Sequence, residues 1–135
     1  MEKVKIRALL IEPMAEPKEH YIEPSIKAFR KAVAAYKGKH SGIEAKRLEK
    51  NIYAIFNKDR FLADIKPNRR MGDDIISGNI LIIAIGNNRL PVSLDDEHFV
   101  KYALRYWNAE TFDDMDVMES NLNTLFSRFL TDEES

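Results

Sequence analysis

The histidines are the first residues in this sequence that could hold a metal ion or move a proton. His20, His40 and His98 lie far apart in different predicted elements, and no two have ligand spacing on one helix or strand. The chain contains no cysteine, which removes thiolate metal sites, disulfides and thiol nucleophiles. We therefore expect surface or capping histidines, and the sequence predicts neither a metal ion nor another cofactor.

Acidic clusters and serines are the other candidates for chemistry. Carboxylates that could bind a divalent cation, or else serve a turn and a helix N-terminus, occur at Asp73 with Asp74 and at Asp113 with Asp114 and Asp116. Ser41, Ser77 and Ser93 have no neighbouring base, and Ser93 fits better as a helix cap. No catalytic residue is predicted, so an enzyme is the weakest of the hypotheses.

A run of basic residues offers a possible surface for nucleic acid. We name as the basic surface Lys46, Arg47, Lys50, Lys58, Arg60 and Lys66. Tyr53 and Phe61 lie among them, and cationic grooves with aromatic platforms bind single strands. The sequence pI of about 6.3 weighs against this hypothesis.

Charge is divided unevenly along the chain. Residues 1–70 contain 17 Lys or Arg and 9 Asp or Glu, a net charge of +8, whereas residues 71–135 contain 4 and 13, a net charge of -9. Such a division can mark a basic binding surface joined to an acidic appendage. The alternative is that both halves are solvated faces of one folded unit, and we favour it.

Size and composition predict one globular domain. The chain has 135 residues, of which 44% are hydrophobic and 32% charged. We expect a core domain over residues 1–108 and a C-terminal helix with an acidic tail over residues 109–135. The longest apolar run, at residues 80–85, is too short to span a bilayer, and the first residues lack an apolar signal core. A cytoplasmic protein is therefore predicted.

Hydrophobic patterning predicts strands in the first half of the chain and one early helix. Residues 4–11 change from alternation to a continuous apolar run, which suits a strand that becomes buried. Pro13 and Pro17 open a loop, and Pro24 is placed as a first helical residue. The apolar stripe of this helix comprises Ile26, Phe29, Val33 and Tyr36.

A hairpin and a central strand follow. Residues 43–48 and 52–57 predict the hairpin, and residues 58–72 a polar, basic connection. Residues 73–78 predict a turn, and residues 79–85, the most hydrophobic run, the central strand.

Two helices are predicted to close the chain. Ser93 and Asp96 have the spacing of a capping box. The stripe of the helix that they open comprises Phe99, Val100, Ala103, Leu104 and Trp107. The last helix is expected over residues 110–130. Its apolar seam, with coiled-coil spacing, comprises Met115, Met118, Leu122, Leu125 and Phe129. The seam could form a dimer, dock a partner or pack on the sheet, and we favour packing on the sheet.

Several segments together resemble an uncharacterised family, domain of unknown function 3846, over about residues 4–106. The segments are KIRALLIEP at 5–13, IFNKD at 55–59, PNR at 67–69, DIISGNILI at 74–82 and SLDDE at 93–97, with Tyr102. The family often has glycine after its Glu-Pro pair, where this chain has Met14, and a Gly-Gly pair before the hairpin, where the glycines here are more widely spaced. The resemblance implies an accessory protein of a phage, plasmid or integrated element. It assigns no catalytic residue.

The polar positions that match the family pattern form the candidate ligand site. Asn57, Asn68 and Arg69, continued by Arg70, could bind phosphate or carboxylate through a bidentate guanidinium. Alternatively, the asparagines bond their own backbone in turns, and Arg69 ties its loop to an acid such as Asp73 or Glu12; we favour this structural interpretation. Glu12, at a strand end, is expected to be a solvated acid.

We predict an α+β fold, a single domain in which a mixed sheet of four or five strands is covered by three helices. As to function, the leading hypothesis is a non-enzymatic binding protein of a phage or mobile element. It would be an anti-defence or host-takeover factor that acts on a host protein through its acidic C-terminal half. It would be monomeric or a homodimer through the last helix, and would not bind a membrane. The alternative is a nucleic-acid or nucleotide binder that uses the region of residues 46–70.

Overall fold

The structure is a computed structural model that describes residues 4–34, 42–58, 66–113, 115–120 and 122–123. Its elements in chain order are β1 (Ile6–Ile11), β2 (Lys18–Ile22), α1 (Ile26–Ala32), β3 (Ile43–Glu49), β4 (Ile52–Asn57), β5 (Pro67–Met71), β6 (Asp74–Ser77), β7 (Ile80–Ile85), β8 (Pro91–Val92) and α2 (Asp96–Arg105). Residues 115–120 and 122–123 are also helical, and we call them the C-terminal helical residues.

Six strands form the main sheet. Five follow the order β2-β1-β7-β4-β3, β8 pairs with β7, and β5 and β6 form a separate two-stranded sheet. The strand pairs of the described residues are all antiparallel. The central strand β7 is the most hydrophobic segment, because a strand buried on both faces needs apolar residues at successive positions.

Each face of the main sheet has its own apolar core. On one face Ala8, Leu10 and Leu81 pack with Phe29 and Val33 from α1 and its C-terminal end. On the other face a second core brings α2 and the β5–β6 sheet against the main sheet. Its fully or nearly fully buried members include Leu9, Ile11, Ile82, Met71, Ile76 and Tyr102. Burying one such side chain stabilises the fold by about 1.5–3 kcal/mol. The single-domain α+β class predicted from the sequence is confirmed.

Four short strands were missed by the sequence analysis. Residues 18–22, expected in a loop, form the edge strand β2, and the predicted connection and turn over residues 58–78 contain β5 and β6. The two-residue strand β8 was not predicted either. Of the residues of β2, Ile22 alone is buried, so its sequence lacks the apolar alternation that predicts a strand. In β5 two of the three buried side chains, Asn68 and Arg69, are polar, which hides the pattern in the same way.

The first two predicted helices each begin two residues later than expected. The helix α1 begins at Ile26 and not at Pro24, and the side chain of its N-cap, Ser25, accepts a hydrogen bond from the backbone N–H of Ala28. Asp95 caps α2 by accepting from the N–H of His98, whereas the hydroxyl of Ser93 accepts from the N–H of Arg7 in β1. Ser93 therefore joins the helix entry to the sheet and is not the cap.

The predicted apolar stripes are only partly buried. Phe29 and Val33 are buried under α1 whereas Ile26 is exposed, and Tyr36 lies outside the described residues. In α2 the buried side chains are Tyr102 and, at the C-cap, Tyr106. Three members of the predicted stripe are exposed, namely Val100, Leu104 and Trp107.

The C-terminal helical residues begin later than the predicted position 110. Asp113 accepts a hydrogen bond from the N–H of Asp116 at 2.7 Å, which is the geometry of an N-terminal cap. Ser120 faces the body of the protein, where its hydroxyl accepts from the N–H of Ile75 in β6. Residues 124–130 of the predicted helix, with Leu125 and Phe129, lie outside the described residues.

Candidate functional site

The polar residues singled out in the sequence, Asn68 and Arg69, lie together in the interior. A register irregularity in β5 between Pro67 and Arg69 interrupts the alternation of side chains, and both consecutive residues are fully buried. The amide nitrogen of Asn68 donates to the carbonyls of Ile11 and Gly78, both at 2.8 Å. Asn68 thus connects β5 with the end of β1 and with the turn before β7.

The guanidinium of Arg69 binds backbone carbonyls from three parts of the chain. Its Nε donates to Tyr106 at 3.0 Å and one terminal nitrogen to Ala15 at 2.5 Å. The other terminal nitrogen donates to the carbonyl and the side-chain oxygen of Asn68, at 3.2 and 2.9 Å. Arg69 therefore joins the loop after β1, the strand β5 and the C-terminal end of α2.

The buried charge of Arg69 is balanced mainly by dipoles. Burial lowers the pKa of Arg69 from its usual value, and the charge of Glu110 opposes that change. Among the described residues Arg69 forms no ion pair, and Glu110 instead accepts a hydrogen bond from the N–H of Arg70 at 2.8 Å. The guanidinium of Arg70 lies over the ring of Phe112, 5.7 Å from its centre.

Asn57 is also buried, but its side chain bonds elsewhere. It ends β4, and its amide donates to the carbonyl of Val33 at the end of α1, at 3.3 Å. The hydrogen bonds described for Asn57 and Asn68 thus run to backbone that is distant in sequence, whereas bonds within local turns were expected. Neither of the acids expected to pair with Arg69, Asp73 and Glu12, is described in contact with it. Glu12 instead pairs with Lys18 at 2.7 Å. The hydrogen bonds described for Asn57, Asn68 and Arg69 are all made to the protein itself, and nearly all of them are made to backbone carbonyls.

The basic surface is divided by the strand geometry. Successive residues of β3 point to opposite faces, so Lys46 and Arg47 are separated by the sheet. Lys46 donates to the carbonyl of Met71 and lies 3.7 Å from Asp74. Lys50 lies in the turn of the hairpin and Lys58 follows its far end; Lys66 is exposed, and Arg60 lies outside the described residues.

A cluster of titratable side chains that the sequence analysis missed joins the β3–β4 turn to α2. Glu49 accepts from the hydroxyl of Tyr102 at 2.5 Å and from the amine of Lys101 at 2.7 Å. The imidazole of His98 lies 2.7 Å from Asp95 and 3.5 Å from Glu49. The spacing Asp95-x-x-His98 at a helix start was the available sequence signal, but Glu49 is distant in sequence and gave none.

The pKa values of this cluster follow from its contacts. Hydrogen bonds from Lys101 and then Tyr102 lower the pKa of Glu49 to about 2. Burial and the bond to Glu49 raise the pKa of Tyr102 to about 12. The hydrogen bond to Asp95 raises the pKa of His98. Both ring nitrogens of His98 face carboxylates, so the cluster ties the β3–β4 turn to the first turns of α2.

Metal binding finds no support in the positions of the acids and histidines. Within the part of the chain that the structure describes, no three His, Asp or Glu side chains lie where they could hold a metal ion. Asp74 is near Lys46, and Asp113 caps the C-terminal helical residues. His40, Ser41 and Asp114 lie outside the described residues.

Two exposed apolar surfaces stand out in the acidic half of the chain. On α2, Val100 and Leu104 lie one helical turn apart and are exposed, and the exposed Trp107 follows just after the C-cap; we call these three residues the α2 stripe. Beyond it, Met115, Met118 and Leu122 are exposed in the C-terminal helical residues, and we call these three the exposed seam. Residues 95–123 carry eight Asp or Glu and two Lys or Arg, so both surfaces lie in a segment of net charge -6.

Comparison with known proteins adds little to this geometry. No family model and no solved structure matches the chain. A stretch of 65 residues is 34% identical to part of the pyruvylated Gal-beta-1,3-epitope synthesis protein 5 of Schizosaccharomyces pombe. The stretch is 48% of this chain and 16% of that protein, so the chain spans less than a fifth of its relative. Among the described residues, no helix is long and apolar enough to cross a membrane.

Proposed function

We propose that this chain is a non-enzymatic binding protein that docks a partner protein through the α2 stripe. The observation that carries the proposal is the exposure of three large apolar side chains on and directly after a capped helix, with Leu104 69% and Trp107 44% exposed. Exposed apolar patches of this kind mark interaction sites, and tryptophan is enriched among the residues that dominate binding energy.

The charge around the α2 stripe indicates the chemistry of the partner. Glu97 is exposed in the first turn of α2, its neighbour Asp96 pairs with Arg7 at 2.7 Å, and residues 95–123 together carry a net charge of -6. A partner with an apolar pocket and a basic rim would be attracted electrostatically and then held by the apolar contacts. This supports action through the acidic C-terminal half.

Support for a binding role also comes from the lack of a free reactive group in the candidate site. The side-chain N–H groups of Asn68 and Arg69 donate to carbonyls of the protein itself, and the imidazole of His98 lies between two carboxylates. The resemblance of residues 4–106 to a family of mobile elements supplies the biological context, a host-takeover or anti-defence factor that acts in the cytoplasm of a bacterial host.

The exposed seam supports a homodimer as the second arrangement. Met115, Met118 and Leu122 face away from the side on which Ser120 contacts β6, and Leu125 and Phe129 continue the same spacing in the sequence. Sedimentation of the wild type and of Met118→Glu tests this arrangement. A dimer that becomes a monomer in the variant supports it, whereas a monomeric wild type contradicts it.

Nucleic-acid binding by the basic surface is the less favoured alternative. Lys46 and Arg47 lie on opposite sheet faces, and Lys50 and Lys58 at opposite ends of the hairpin, about 20 Å apart for a six-residue strand. Cations so dispersed do not follow one strand of nucleic acid.

A pull-down from lysate of the bacterial host, with and without nuclease, tests the proposed function. Leu104→Glu places a charge in the α2 stripe, and Leu90→Glu is the matched control because Leu90 is an exposed leucine in the loop before β8. We expect one stoichiometric partner that survives nuclease and persists with Leu90→Glu. Leu104→Glu should weaken its binding by at least about 30-fold, the effect of losing a residue worth about 2 kcal/mol. Recovery of nucleic acid that vanishes with nuclease, or equal recovery by both variants, would overturn the proposal.

A further inference from the structure

A groove of about 570 Å³ lies between the edge strand β2 and helix α1, away from the α2 stripe and the buried polar residues. Its floor is formed by Leu10, Ile22 and His20, which share the face of the sheet that α1 covers. Ala28 and Ala32, one helical turn apart, form part of the wall, and their small side chains leave the groove open. The volume falls in the range of small-molecule sites, about 300–1,000 Å³.

Three lysines surround this groove. Lys27 and Lys31 are one turn apart on α1, and Lys5 approaches from the start of β1. Among the described residues, none of the three is within ion-pair distance of a carboxylate. Glu23 also lines the groove and has an interaction of its own. The groove thus combines an apolar floor with three lysines and one carboxylate, which leaves an excess of positive charge.

This combination selects a ligand with two unlike parts. One carboxylate would leave most of the charge of three lysines uncompensated, whereas a diphosphate carries enough negative charge to engage all of them. Leu10 and Ile22 offer apolar contact on the floor of the groove. A nucleobase attached to a diphosphate meets both requirements, because the face of its ring is largely apolar and its phosphates are anionic.

We propose that the groove between β2 and α1 binds a phosphorylated small molecule of the nucleoside diphosphate class. The phosphates lie between Lys5, Lys27 and Lys31, and the base lies on the apolar floor formed by Leu10 and Ile22. The site is independent of the proposed protein-binding surface, because none of its residues belongs to α2 or to the exposed seam.

Calorimetric titration of the full chain with ADP, and separately with inorganic pyrophosphate and with a thymidine octamer, tests this inference. The test variant is Lys27→Ala with Lys31→Ala, and the matched control is Lys50→Ala with Lys58→Ala, which removes the same charge from exposed positions outside the groove. A third variant, Ala28→Phe, fills the groove without changing its charge, and thermal melting verifies that it is folded.

We expect ADP to bind with a dissociation constant of about 1 mM or tighter and pyrophosphate to bind more weakly. The test pair should weaken ADP binding at least about tenfold, as expected when charge-assisted contacts are lost. The control pair should leave it unchanged. Folded Ala28→Phe should weaken ADP more than pyrophosphate. Absence of ADP binding, equal loss in both lysine pairs, or tighter binding of a thymidine octamer than of ADP would overturn the inference.

Discussion

Replacement of Arg69 by methionine separates a structural role of this buried arginine from a ligand-binding role. Methionine keeps an apolar stem of similar length but removes every donor. The carbonyls of Ala15 and Tyr106 and the side-chain oxygen of Asn68 then lose the hydrogen bonds that they accept from Arg69. Each buried acceptor left unsatisfied costs about 1–3 kcal/mol, and partial relaxation brings the expected total to about 3–5 kcal/mol.

The loss is large compared with the stability of a domain of this size. Since domains are stable by about 5–15 kcal/mol, the substitution should lower Tm by about 10–20 °C. Urea denaturation followed by circular dichroism gives the free energy of unfolding of the wild type, of Arg69→Met and of the control Arg70→Met. Arg70 is the appropriate control because it is adjacent and exposed, and its guanidinium contacts only the ring of Phe112 among the described side-chain contacts. We expect the control to lose no more than about 1 kcal/mol.

A loss for Arg69→Met as small as that of Arg70→Met would refute this explanation. It would mean that the carbonyls around the guanidinium are satisfied in other ways, and it would return Arg69 to the list of ligand-binding candidates. Loss of a ligand's binding without loss of stability would have the same consequence.

Two further substitutions test the titratable cluster and the backbone. Because the folded pKa of Glu49 is about 2 and the unfolded value 4.5, its stabilisation is present above pH 4.5 and is lost as the pH falls through 2. The difference in unfolding free energy between the wild type and Glu49→Gln, measured at several pH values, should therefore shrink from pH 5 to pH 2, and a constant difference would contradict the assignment. Met14 has a positive φ of 64° and an exposed side chain, so Met14→Gly should raise the free energy of unfolding by about 0.5–1 kcal/mol. A destabilised Met14→Gly in the same denaturation assay would show that the side chain contributes more than the strain costs.

The central part of the fold was predictable because its residues follow simple patterns. The run at β7 is apolar at every position, and the β3–β4 hairpin has an Asn51 with a positive φ of 68° in its turn. The edge strand β2 was missed because strand propensity there comes from pairing with β1, which no local pattern reveals.

The surroundings of the candidate site depended on contacts distant in sequence. Asn68 and Arg69 could be picked out by type, but their partners lie up to 57 positions away, and the choice between ligand and backbone required the structure. The exposure of Leu104 was hidden for another reason. Since α2 has apolar residues on more than one side, the sequence does not say which side packs on the sheet.

The measurement that most directly tests the proposed docking surface is site-specific photo-crosslinking in the bacterial host. A photoreactive side chain is placed at position 104 in the α2 stripe and, in a separate protein, at position 90 as the control. The docking account predicts one protein adduct of defined mass from position 104 and none from position 90. Adducts of equal yield from both positions, or a failure of position 104 to form any, would contradict it.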